Sequence, residues 1–134
     1  MPGMDAASGL ENLGQAEALP PKVLYAVDAR LTPSSPVTDV ARLTSLTVAA
    51  VAAGQGHVLD TSHVIFPNRA ITLVLIIAES HLSLHTWPEE NLIAIDLFSC
   101  GAIDGRAVID DLVAALQLQT ATVSQIRRGT QATP

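Results

Sequence analysis

The chain has 134 residues, 49% hydrophobic but only 3% aromatic, with a formal net charge of -6. That length makes one domain with a modest core of Val, Leu, Ile and Ala, small enough to gain from oligomerisation. The acidic balance argues against a nucleic-acid partner, which requires clustered Lys and Arg, and suits a cationic ligand better. The single cysteine cannot form an internal disulfide and fits a reducing cytoplasm. No basic start followed by an apolar stretch marks a secretory leader. The longest apolar runs, such as Leu73 to Ala78, fall far short of the ~20 residues a membrane span needs. The expectation is a soluble, cytoplasmic protein with no membrane partner.

Met1 to Pro21, rich in Gly, Ala and Pro, reads as a disordered lead (residues 1–21) to a single domain over 22–128. Lys22 to Val27 has the apolar, partly β-branched character of a first strand. After a loop at Thr32 to Pro36, the spacing of Val40, Leu43, Leu46, Val48 and Val51 predicts a helix over Thr38 to Ala53. Asp39 suits the positive end of that helix and Gly54 suits a left-handed cap. His57 to Phe66 reads as a strand, Pro67 to Ala70 as a turn, and Ile71 to Ala78 as a central strand. Leu82 to Thr86 and Leu92 to Phe98 continue as strands across the turn Pro88 to Asn91. Asp104 caps a second helix over about Arg106 to Leu116, with Ile109, Leu112, Val113 and Leu116 on one stripe. Ala121 to Ile126 is a last strand, and residues 129–134 are a frayed tail. The order predicts an α+β fold, a two-layer sandwich with a mainly antiparallel sheet and both helices on one face.

The chemistry concentrates between Leu73 and Cys100, LVLIIAESHLSLHTWPEENLIAIDLFSC. The Ser80 hydroxyl lies one residue from the Glu79 carbonyl carbon, and attack within a chain has a large effective concentration. An N-to-O acyl shift gives an ester, provided the fold strains the peptide and supplies donors to the oxyanion. Removal of the Ser80 alpha proton then expels the Glu79 carboxylate, leaving a dehydroalanine that hydrolyses to a pyruvoyl group and ammonia. His85 is the natural base, because imidazole exchanges protons near neutral pH. Side chains alternate along a strand, so Ser80 and His85, five apart, should point opposite ways. A turn or bulge at Glu79 to His81 is therefore expected between them. The single cysteine, Cys100, is either a small buried hydrophobe or a thiol that gives up a proton. A metal site is not expected from His57, His63, His81, His85 and Cys100. On a strand His81 and His85 lie ~13 Å apart at ~3.3 Å per residue, whereas zinc draws its nitrogens to within ~2.1 Å.

The run Glu79-Ser80-His81-Leu82-Ser83-Leu84-His85-Thr86-Trp87-Pro88-Glu89, followed by Ile95-Asp96-Leu97-Phe98-Ser99-Cys100-Gly101, resembles the small prokaryotic S-adenosylmethionine decarboxylases. The resemblance is strong from about Ile77 to Gly101, moderate from His57 to Ile76, and weak elsewhere. It implies self-cleavage between Glu79 and Ser80, giving chains 1–79 and 80–134, the second headed by a covalent pyruvoyl cofactor formed from Ser80. That cofactor forms a Schiff base with the substrate amine and serves as the electron sink for decarboxylation. The resemblance further implies Cys100 as the donor that reprotonates the product carbanion, and S-adenosylmethionine as substrate, decarboxylated to the aminopropyl donor of spermidine synthesis. Trp87 and Phe66 would hold the adenine, Glu89 the ribose hydroxyls or the sulfonium, and Thr72 would supply a hydroxyl near the cleavage site. The same residues also read as core for Phe66, packing beside Pro88 for Trp87, and a solvated turn for Glu89. An (αβ)2 homodimer with sites near the interface is implied as well.

The chain departs from the family pattern ahead of the processing site. Members carry Phe-x-Pro-x-Gly followed by Val and then Ser or Thr, where this chain has Phe66-Pro67-Asn68-Arg69-Ala70-Ile71-Thr72. The first strand likewise has Pro21-Lys22-Val23-Leu24 in place of a Gly-x-His-Leu stretch. Two rivals follow: a pyruvoyl-dependent decarboxylase of arginine or ornithine, and an unprocessed, non-enzymatic homologue that binds or regulates a partner.

Overall fold

A computed structural model describes residues 20–129. Most of the expected lead, and residues 130–134 of the expected tail, lie outside the described residues. The elements run β1 (Lys22–Arg30), α1 (Val40–Ala53), β2 (Val58–Ile65), β3 (Ile71–Ile77), β4 (Ser80–Trp87), a 3-10 turn (Pro88–Glu90), β5 (Leu92–Cys100), α2 (Gly105–Ala115) and β6 (Gln119–Arg128). All six strands join one sheet in the order β2-β3-β4-β5-β1-β6. Every neighbouring pair is antiparallel. The expected α+β two-layer architecture is what forms.

The layers follow from period-two burial. Ile71, Leu73, Leu75 and Ile77 of β3 are buried, as are Leu82 and Leu84 of β4 and Ile93, Ile95 and Leu97 of β5. These side chains form one cluster with Leu43, Ala50 and Val51 of α1 and Val108, Ile109 and Leu112 of α2. Both helices thus cover one face, and the alternate residues of each strand form the other, uncovered face. Burying a full aliphatic side chain contributes ~1.5–3 kcal/mol, so this largely aliphatic layer holds the sheet, with Tyr25 packed against it. No helix among the described residues is long and apolar enough to cross a membrane.

Both capping aspartates act as the sequence suggests, although α1 begins at Val40 rather than Thr38, and one helix end differs. Asp39 accepts the Ala41 and Arg42 N–H groups, and Asp104 accepts that of Ala107. Gly54, however, has φ -95°, and the left-handed residue is Gln55 at φ 72°. Gly54 is small for another reason: a methyl there would stand 2.4 Å from Val108 Cγ2 and 2.8 Å from the Asp104 carbonyl oxygen. The glycine lets α1 end directly against the start of α2, where Asp104 N–H donates to the Gly54 carbonyl at 2.8 Å.

Candidate active site

The first cluster forms at the β3–β4 hairpin, which Ala78 and Glu79 alone connect. Of these two only Glu79 has a positive φ, 64°. The hairpin turns that match strand twist need positive φ at both central residues or at the first, so this connection is neither. A residue with a Cβ in that region carries on the order of 1 kcal/mol of strain. The turn is tied down by the Ala78 N–H, which donates to the His57 carbonyl at 2.9 Å.

Ser80, the first residue of β4, is buried on the helix-covered face. Its Oγ accepts the backbone N–H of Cys100 at 3.0 Å. A backbone donor aimed at the hydroxyl oxygen is poised to stabilise negative charge there. Cys100 is half-buried at the end of β5. The next residue, Gly101, has φ 79°, and a methyl on it would stand 3.0 Å from Glu79 Oε1. The Glu79 carboxylate thus folds back over Gly101.

The second cluster occupies the other end of the same strands. Thr72 and His85 are cross-strand partners, with Thr72 Oγ1 and His85 Nδ1 2.6 Å apart. That contact fixes the ring and leaves Nε2 as the nitrogen available for proton exchange. The His85 ring meets Trp87 edge-on at 4.4 Å and tilts against Phe66 at 5.9 Å between centroids. A cleft of about 490 Å³ is lined by these three rings with Pro67, Asn68, Ala70 and Glu89. Asn68 Nδ2 donates to both Glu89 carboxylate oxygens, at 3.4 and 3.3 Å. A smaller cleft of about 290 Å³ adjoins His85 and Trp87 and reaches Ser83 and Asp96.

The structure therefore brings Ser80, Glu79 and the Cys100 backbone together, and Phe66, Thr72, His85, Trp87 and Glu89 together, but keeps the two groups apart. The expected bulge at Glu79 to His81 does not form. The turn falls one residue earlier, and β4 pairs with β3 without a register shift from Ile77↔Ser80 to Thr72↔His85. Alternation then stands: Ser80 faces the helices and His85 the open side, ~16 Å apart along the strand at ~3.3 Å per residue. For the same reason Thr72 lies opposite His85 rather than beside the Glu79–Ser80 bond. Nothing in the sequence marks Asn68 for its contact with Glu89, since Asn after Pro reads as turn chemistry and its partner is 21 residues away. Among the described residues no three His, Cys, Asp or Glu side chains converge as metal ligands would.

Comparison with known proteins places the chain. The family model described as S-adenosylmethionine decarboxylase matches residues 24–129. The S-adenosylmethionine decarboxylase proenzyme of Symbiobacterium thermophilum is 36% identical over 107 residues, 79% of this chain and 81% of that one. The proenzyme of Pyrococcus horikoshii is 31% identical over 106 residues, 78% of this chain and 76% of that one. The crystal structure of adenosylmethionine decarboxylase from Aquifex aeolicus shares the fold, with TM-score 0.69 over 84% of this chain and 93% of that one at 22% identity. A match over most of the chain, supported by relatives above 30% identity, shows that the chain belongs to the S-adenosylmethionine decarboxylase family.

Proposed function

We propose that the chain is a self-processing, pyruvoyl-dependent decarboxylase of S-adenosylmethionine, supplying the aminopropyl donor for spermidine synthesis. The observation that carries this reading is the buried Ser80 hydroxyl, held by the Cys100 N–H beside a strained Glu79, in a chain whose relatives are named proenzymes. Ser80 Oγ attacks the Glu79 carbonyl carbon, the amide nitrogen leaves as an amine, and an ester replaces the peptide. Loss of the Ser80 alpha proton then breaks the Cβ–Oγ bond and frees Glu79 as a carboxylate. Water converts the remaining enamine to a ketone and releases ammonia. The products are residues 1–79 and 80–134, with residues 22–128 acting as one decarboxylase domain. The positive φ of Glu79 favours the first step, because opening the peptide relieves the turn.

A pyruvoyl group at residue 80 supplies the electron-withdrawing carbonyl that lets an amino acid shed carbon dioxide. Around it Cys100 holds the proton that returns to the substrate carbon. Phe66 and Trp87 offer ring faces to a base, and Glu89 an acceptor for hydroxyls. His85 is the base for the alpha proton of Ser80, and the ~16 Å along one strand puts it beyond reach within a single copy. A second copy of the chain therefore contributes Thr72 and His85 to the first copy's Ser80. The uncovered sheet face that carries His85 also exposes Val64, Ile76 and Ile126, apolar area that a partner copy would cover. The lone thiol accords with a cytoplasmic enzyme.

Intact-mass spectrometry of the purified chain tests the processing step. Two fragments divided at residue 79, the second lacking a free amine, are expected. A chain that stays whole while folded refutes the proposal. Incubation with S-adenosylmethionine, arginine and ornithine in parallel identifies the substrate by which of them releases carbon dioxide.

A further inference from the structure

We infer that Asn68 is a positioning residue, whose amide clasps the Glu89 carboxylate and presents it to the hydroxyls of a nucleoside-bearing substrate. This rests on the reading above that the aromatic cleft takes the nucleoside. The orientation of the amide is fixed by its other end. Asn68 Oδ1 accepts the Ala70 N–H at 3.1 Å, a place only the oxygen can fill. The NH2 group is therefore turned to Glu89, where it spans both oxygens at 3.3 and 3.4 Å. Its backbone is equally set. Pro67 fixes the second residue of a β-turn closed by Arg69 N–H to Phe66 carbonyl at 2.8 Å, and Arg69 then takes φ 74°.

The clasp joins two connections that are distant in sequence, the β2–β3 turn and the 3-10 turn at Pro88–Glu90. Each stands at the rim of the cleft lined by Phe66, His85 and Trp87. Asn68 and Glu89 are both exposed, and exposed polar contacts contribute little to folding stability. What the contact does is remove the rotational freedom of a long carboxylate side chain, leaving its remaining lone pairs available to a ligand.

Asn68→Asp separates this role from a turn-forming one. An aspartate still accepts the Ala70 N–H, but it faces Glu89 with a second carboxylate in place of the amide. Calorimetry with 5′-methylthioadenosine and its 2′- and 3′-deoxy analogues reads the effect on the full chain. Asn68→Asp should weaken 5′-methylthioadenosine binding on the order of fivefold to tenfold and erase the preference over the deoxy analogues, with thermal midpoint unchanged. In the processed enzyme KM should rise while kcat holds. Wild-type affinity in Asn68→Asp together with weak binding in Asn68→Ala would reduce Asn68 to a turn residue and overturn the inference. Equal weakening towards all three ligands would also overturn it. Glu89→Gln distinguishes the deeper failure: if that change leaves affinity and preference intact, the nucleoside reading of the cleft falls too.

Discussion

Separate placement of Ser80 and His85 makes complementation between damaged copies the sharpest test of a shared site. In the proposed mechanism Ser80→Ala removes the nucleophile, and His85→Ala removes the base from the far end of β4. Within one chain the two positions are ~16 Å apart, against the ~3 Å reach of direct proton transfer. If each site draws Ser80 from one copy and His85 from the other, neither variant is cleaved alone. A mixed dimer instead holds one site with both residues intact and one with both lost. Random pairing at equal expression leaves about half of the His85→Ala chains opposite a Ser80→Ala partner in a symmetric dimer. Those chains should be cut, so about one quarter of all chains should appear as fragments by intact mass, and every 80–134 fragment should carry the His85→Ala substitution. Cleavage of His85→Ala at the wild-type rate by itself, or no cleavage in the verified mixed dimer, would refute the reasoning.

The remaining predictions concern the hairpin, the proton donor and the core. Glu79→Gly should stabilise the uncut chain by about 1 kcal/mol, because glycine accepts positive φ without strain, and should slow fragment appearance in a time course. Gly101→Ala meets both φ 79° and the Glu79 carboxylate at 3.0 Å, so it should cost ~1–2 kcal/mol in denaturant unfolding and displace Glu79 enough to retard cleavage. Cys100→Ala should leave fragments intact by mass while lowering turnover of S-adenosylmethionine ~10²-fold, the scale of a lost general acid. Leu75→Ala empties a fully buried position at the centre of the sheet and should cost ~2–5 kcal/mol, read as a lower denaturant midpoint with unchanged cooperativity.

Periodicity made most of the fold legible. Alternating apolar residues in β3, β4 and β5 marked the covered face, and Asp39 and Asp104 announced the two helix starts. The strand ends were harder: β1 runs on to Arg30 and β6 to Arg128, through charged residues whose pairing depends on partners far along the chain. The hairpin turn was hidden because Ala78 and Glu79 carry none of the Gly, Asn or Pro chemistry that signals one. Gly54 was legible as a helix end but not as a packing glycine, since Val108 lies 54 residues away. In the site, alternation alone already opposed Ser80 to His85, and the pairing register decided the matter against a bulge. Asn68 escaped notice because a turn residue and a rim residue look the same until the second turn is placed beside it.

Strand order bears on the fate of a severed chain. In β2-β3-β4-β5-β1-β6, strands before residue 80 are interleaved with those after it: β1 is threaded between β5 and β6, while β3 abuts β4. Scission at the hairpin thus yields two polypeptides knitted by three separate ladders, β3–β4, β5–β1 and β1–β6. Neither piece can depart without breaking three of the five ladders of the sheet, so a nick that frees a new end costs the molecule almost none of its cohesion.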